Sequence, residues 1–161
     1  MSILINTLSN WQNLTLVCVA YNIKKMRRDS ELITDKDKKN LILEAKMSTK
    51  YSYSPYSNYK VGAALLTKDD KIITGGNVEN AVYPLCICAE QVAIAKAVSN
   101  GYKDFKALAI YADGENLPYP CGACRQVIYE FSQDIPIIIT NGKRIEIVNI
   151  KDLLPWAFTL K

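Results

Sequence analysis

Histidine is absent from all 161 residues of the chain. Any metal site in it must therefore draw on thiolates or carboxylates, and any general acid or base must be something other than imidazole. A bilayer-crossing run, which takes about 20 apolar residues, is missing too. Residues 1–23 carry no side-chain charge, but their apolar stretch "LTLVCVAYNI" is too short to span, and no basic segment precedes it. No internal period of roughly 20–50 residues recurs, which argues against a solenoid or propeller. A large excess of charge is also lacking: the formal net charge is +4, and residues 36–161 carry 16 basic and 13 acidic side chains. That balance lacks the footprint of a polyanion binder, and the densest basic patch, "KKMRR" at 24–28, reads as a solvated run in an extension. Neither a nucleic-acid nor a membrane partner is expected.

With 49% hydrophobic residues, the chain has the size and the side chains for one domain with its own core. We expect an N-terminal extension over residues 1–35 and a folded domain over 36–161. The five cysteines are odd in number, and a reducing, cytoplasmic setting suits free or metal-bound thiols better than a disulfide scaffold. Cys18, in the extension, reads as a buried or free thiol.

Along the domain, "TDKDKKNLILEAKMS" predicts a helix capped by Thr34 or Asp35, with Leu41, Ile42, Ala45 and Ser48 at helical spacing. "KVGAALLTKDDKIITGG" predicts two strands joined by a turn. From Cys88 the spacing turns helical until Asn100-Gly101 closes it. "KALAIYA" is a short strand and "CGACRQVIYEF" a third helix. "IPIIIT" and "RIEIVNI" are strands turning at Asn141-Gly142, and "KDLLPWAF" is a tail that returns to the body. Alternating strands and helices predict a sheet covered by helices.

In that plan Cys88 heads one helix, and Cys121 and Cys124 head the next. Two such junctions of one sheet can lie side by side, bringing three thiolates to one point. Three soft anionic ligands favour zinc, and a fourth position left to water would make the site catalytic. A lone Cys-x-x-Cys is also shared by redox pairs and structural zinc knuckles. Cys86 is open to two readings, a fourth ligand that closes the site or a small packed neighbour of it; its spacing from Cys88 favours the second. Glu90 likewise has two: a first-turn carboxylate favoured by the helix dipole, or a proton carrier beside metal-activated water.

"CAE" at 88–90 with "PCGACRQ" at 120–126 resembles the zinc nucleoside deaminases, and the Cys-Ala-Glu form is similar to the small homotetrameric cytidine deaminases. "SYSPYSNYKVGAALL", "GGNVENAVYPLCICAEQ", "GYKDF" and "DLLPWAF" fall in family order, so the resemblance covers about residues 38–158. It implies a three-layer α/β/α fold of the cytidine-deaminase type, with a mixed sheet of about five strands. It further implies one Zn2+ per chain on Cys88, Cys121 and Cys124, and Glu90 as the catalytic proton shuttle.

For the substrate, a nucleoside, the resemblance implies that Asn77 and Glu79 bind the ribose hydroxyl, both facing the sugar where the strand end is irregular. Tyr59 would flank the pyrimidine, with Phe158 as the aromatic from the C-terminal segment, and the Ala89 backbone would hold the pyrimidine carbonyl. Tyr56, Ala81 and Tyr83 match positions at which neighbouring subunits complete the site, so a homotetramer is expected. The implied reaction is attack of zinc-activated hydroxide on C4 of cytidine or deoxycytidine, protonation of N3 by Glu90 and loss of ammonia, in pyrimidine salvage. Retention of Glu90 argues against a catalytically silent zinc scaffold, and "NVEN" with the weak basic character argues against a polynucleotide substrate.

One position departs from the pattern. Many thiolate-ligated relatives carry arginine after the glutamate, whereas this chain has Gln91. Three thiolates on zinc leave a net negative charge, to be offset by the two helix N-termini and, depending on where its side chain points, by Arg125.

Overall fold

A computed structural model describes residues 33–160. Cys18 and the apolar stretch of the extension lie outside the described residues.

Helix α1, Asp35–Ser48, starts where its sequence asks it to. Thr34 is the N-cap: the Asp37 N–H donates to its hydroxyl at 3.1 Å, and the Thr34 N–H donates back to the Asp37 carboxylate at 3.0 Å. This reciprocal box satisfies two of the backbone donors that the first turn leaves open. Leu41, Ala45 and Ser48 form the buried stripe of α1.

Strands β1 (Val61–Thr67), β2 (Ile72–Gly76), β3 (Phe105–Ala112), β4 (Pro136–Thr140) and β5 (Ile145–Asn149) make one sheet in the order β2-β1-β3-β4-β5. The β3–β4 pair is parallel and the others are antiparallel, which makes the sheet mixed, with the five strands expected. Between the strands lie α2 (Ala89–Ser99) and α3 (Gly122–Phe131), and the short α4 (Ile150–Leu153) follows β5.

Both faces of the sheet are covered, which is why β1 and β3 read as continuous apolar runs rather than as alternation. On one face Ala64, Leu66, Ala107, Ala109 and Ile138 meet Leu41 and Ala45 of α1. On the other Ala63, Leu65, Leu108, Ile110 and Ile137 meet Ala93, Ile94 and Ala97 of α2 and Ile128 of α3. The result is an α/β/α sandwich.

Gly75 sets how closely α2 approaches. A Cβ there would lie 2.5 Å from the Ala89 carbonyl oxygen and 2.6 Å from the Ala93 nitrogen. Only a bare backbone in β2 lets the first turn of α2 sit this deep against the sheet. The depth of that turn fixes the position of the residues beside it, Cys88 and Glu90.

Candidate active site

Two helix N-termini converge on one point. Cys88 is the N-cap of α2 and Cys121 the N-cap of α3, each in extended conformation, and Cys124 lies in the first turn of α3. Their sulfurs all lie within 4.8 Å of one another. Among the described residues this is the one cluster of three or more metal-ligating side chains of that kind. Cys124 is fully buried, Cys88 half-buried and Cys121 exposed, so the cluster opens on one side.

The donor set fits zinc. Sulfurs bound at about 2.3 Å in a tetrahedron stand roughly 3.8 Å apart, within the spread seen here, and an all-thiol set is one that zinc accepts. The hydrogen bond between Cys88 and Cys124 draws the Cys88 thiol down and pushes the Cys124 thiol up.

Positive potential at the sulfurs comes from backbone. The Cys124 N–H donates to Cys121 Sγ at 3.5 Å, and the N-terminal ends of both helices lie at the cluster. Arg125 spends its donors elsewhere: Nε donates to the Pro120 carbonyl at 2.8 Å and Nη1 to the Leu153 carbonyl at 3.0 Å. It ties the Cys-x-x-Cys loop to the end of α4. The open question about Arg125 is thus answered in favour of bracing.

Glu90, in the first turn of α2, is 4% exposed. Burial pushes its carboxyl above the usual carboxylate range. A carboxyl shifted in that direction holds its proton more readily than an exposed one, which suits a group that takes up and delivers a proton. Tyr59 is close enough to feel it: burial raises the phenol, and the Glu90 charge raises it further.

A cleft of about 330 Å³ lies over this floor, bordered by Cys88, Cys121, Ala89, Glu90, Tyr59 and the Asn77–Glu79 segment. That segment is held from both sides. Val78 exchanges hydrogen bonds with Ile87 at 2.9 Å in each direction, while Tyr53 and Glu79 are joined through the backbone at 2.8 Å. The segment lies just past the end of β2, paired with its neighbours through isolated bridges at Val78, and Asn77 and Glu79 both border the cleft, as expected of an irregular strand end.

Both side chains also work as braces. The Asn77 carbonyl oxygen accepts from Ser52 Oγ at 2.5 Å and the Val61 N–H at 2.8 Å, and its amide donates to the Tyr59 carbonyl at 2.9 Å. The Glu79 carboxylate accepts from the Ser57 hydroxyl and from the N–H groups of Tyr56 (2.9 Å) and Ser57 (3.3 Å). The Ser57 bond, with the two backbone donors, holds Glu79 below the usual carboxylate range.

Four expected residues are not on the cleft wall of the single chain. Tyr56 and Tyr83 stack edge to face at 6.1 Å on the surface, Ala81 is exposed beside them, and Phe158 is exposed on the C-terminal tail. The tail's backbone is clamped by Gln126, whose amide donates to the Phe158 carbonyl at 2.9 Å and accepts from the Phe158 N–H at 3.3 Å.

Cys86 borders the cleft as a neighbour of the site and stays outside the three-cysteine cluster, as expected, but it is exposed rather than packed. It ends the 3₁₀ turn Tyr83–Leu85 and is exposed, with its sulfur accepting from the Asn80 N–H at 3.2 Å. Two further wall residues, Pro118 and Tyr119, escaped the sequence reading. Their only signal was adjacency to the Cys-x-x-Cys loop.

Comparison with known proteins agrees with this geometry. Residues 35–140 match the family model for the cytidine and deoxycytidylate deaminase zinc-binding region. The cytidine deaminase of Sporosarcina psychrophila is 49% identical over 76% of this chain and 92% of its own length. That of Halalkalibacterium halodurans is 45% identical over 76% of this chain and 95% of its own. The crystal structure of cytidine deaminase from Burkholderia pseudomallei superposes with a TM-score of 0.73 at 42% identity, covering 78% of this chain and all of that one. With the cysteine cluster, the buried glutamate and the mixed five-stranded sheet, these likenesses carry one conclusion: the chain belongs to the cytidine and deoxycytidylate deaminase family.

Proposed function

We propose that this protein hydrolytically deaminates cytidine and deoxycytidine to uridine and deoxyuridine, releasing ammonia, and serves pyrimidine salvage in the cytoplasm. The observation that carries the reading is the buried Glu90 carboxyl on the wall of a cleft that Cys88 and Cys121 also border, where their sulfurs converge with that of buried Cys124. Relatives that span most of this chain are named cytidine deaminases, which supplies the substrate class. Among the described residues no helix is long and apolar enough to cross a membrane.

Cys88, Cys121 and Cys124 would hold one Zn2+ per chain. That ion would supply a Lewis acid that makes water acidic near neutral pH. The remaining work falls to the chain's own side chains. Glu90 takes up a proton, delivers it to N3 of the base, where it makes C4 a better electrophile, and then serves the leaving amino nitrogen. Burial supports this double role, because the neutral and charged forms are brought closer in energy.

Asn77 and Glu79 would hold the ribose. Each keeps capacity after bracing, an amide N–H on Asn77 and lone pairs on the Glu79 carboxylate. Tyr59 would flank the base and the Ala89 backbone would meet its carbonyl. Exposed Tyr56, Tyr83 and Phe158, with Ala81, would complete the clefts of neighbouring copies in a homotetramer.

Glu90→Gln tests the assignment. With zinc content and melting temperature matched to the parent, turnover should fall by about 10²–10⁴-fold. Turnover equal to the parent's would remove Glu90 from the mechanism. Light scattering at low protein concentration tests the assembly, which should be four chains; a stable monomer with full activity would refute the shared sites.

A further inference from the structure

Tyr119 borders the same cleft as Cys88, Glu90 and Cys121, yet none of the steps above uses it. It is the second aromatic residue on that wall, beside Tyr59. Its backbone is confined: prolines flank it on both sides, and its N–H donates to the Leu117 carbonyl at 2.9 Å.

Its ring is confined as well. The phenol hydroxyl donates to Oε2 of Glu146, on edge strand β5. The other oxygen of that carboxylate accepts from Arg144 Nη2 at 3.1 Å. Glu146 is opposite Ile139 of β4, which belongs to the core under α2 and α3, so the carboxylate rises on the same side of the sheet as the cleft. The sheet edge thereby holds the far end of a side chain whose near end borders the reaction floor.

We infer that Tyr119 is a substrate-binding residue whose ring forms a wall for the planar pyrimidine, and that Glu146 is the positioning residue that fixes this ring. With its hydroxyl tied to Glu146, the phenol offers the cleft an apolar ring rather than a free donor. Stacking on an aromatic ring suits any flat heterocycle, and removing such a ring weakens base binding by roughly fivefold to a hundredfold. The inference rests on the proposed pyrimidine nucleoside substrate.

The experiment is steady-state kinetics with cytidine, paired with calorimetric titration of cytidine into the same variants in a Glu90→Gln background. Zinc content and melting temperature are recorded for each. Tyr119→Ala should raise KM, and the dissociation constant, by roughly tenfold while kcat stays within about twofold. Tyr119→Phe, which keeps the ring and loses the tether, should show a smaller rise of the same kind. Glu146→Ala should match Tyr119→Phe and add nothing on top of it, and Glu146→Gln, which keeps an acceptor, should recover part of the loss.

An unchanged KM and dissociation constant in Tyr119→Ala would overturn the inference. So would a Glu146→Ala effect that persists undiminished in the Tyr119→Phe background. If the parent binds cytidine and never turns it over, the deaminase reading fails while the binding series still decides the wall. If the parent does not bind cytidine, both fall.

Discussion

At the floor of the site Glu90 keeps 4% of its surface and Cys124 none, whereas an outer rim of aromatics off the cleft wall of this chain, Tyr56, Tyr83 and Phe158, keeps 49%, 68% and 69%. The floor is finished within one chain. Its parts come from two helix starts and a bare stretch of β2, each fixed by short-range signals and by close contact with the sheet. The rim is presented rather than packed: its aromatics stand in solvent although Gln126 clamps the backbone of one of them at both its N–H and its carbonyl. Exposed aromatic residues on well-ordered backbone suit contact with something beyond the chain. Chemistry and recognition are thus separable by mutation, with different variables responding.

The largest separation should come at the floor. Glu90→Gln should cut kcat by about 10²–10⁴-fold and leave assembly and zinc content as they were. Cys124→Ser should lose zinc and, with it, the melting-temperature drop that a chelator produces in the parent; a variant that still responds to chelator would show that Cys124 is not a ligand.

Next is the contact beneath the floor. Gly75→Val puts carbon where the Ala89 carbonyl and the Ala93 nitrogen already are, and should lower unfolding free energy by about 1–3 kcal/mol or more by denaturant titration. An unaffected midpoint would mean that α2 is free to move away from β2.

Rim changes should be gentler and of another kind. Phe158→Ala should raise KM several-fold, on the order of 1 kcal/mol, with kcat and melting temperature nearly constant. If kcat falls instead, floor and rim are not separable. Smallest is the cap of α1: Thr34→Ala should cost about 1 kcal/mol. The Thr34 bonds hold the Asp37 carboxyl below its ordinary value, so the contribution is present above the ordinary carboxylate pKa and is lost as pH falls through the lowered one. Parent and variant should therefore converge in acid, and a constant gap would assign the loss to something other than the box.

The same division explains how much the chain discloses before folding. Helix starts at Thr34, Cys88 and Cys121 and the Asn141-Gly142 turn depend on neighbours a few residues away, so spacing exposes them, whereas the meeting of Cys88 with Cys121 and Cys124 follows from two helix starts at one sheet. Arg125 was ambiguous because its partner, the Leu153 carbonyl, is 28 residues distant. Gln126 reaches 32 residues to Phe158, and Tyr119 reaches 27 to Glu146. Such pairings are made by the strand order and the return of the tail, which no local pattern encodes. The exposure of Cys86 is hidden for a related reason: a single 3₁₀ turn, too short to show a period, ends at it and leaves its sulfur to the Asn80 N–H.

Loss of cytidine absorbance, followed with the zinc-loaded protein beside a Glu90→Gln variant of equal zinc content, bears on all of this at once. Steady conversion to uridine by the parent, with a rate lower by two or more orders of magnitude in the variant, is the expected result. A folded, zinc-loaded parent that leaves both cytidine and deoxycytidine intact would contradict the proposed activity.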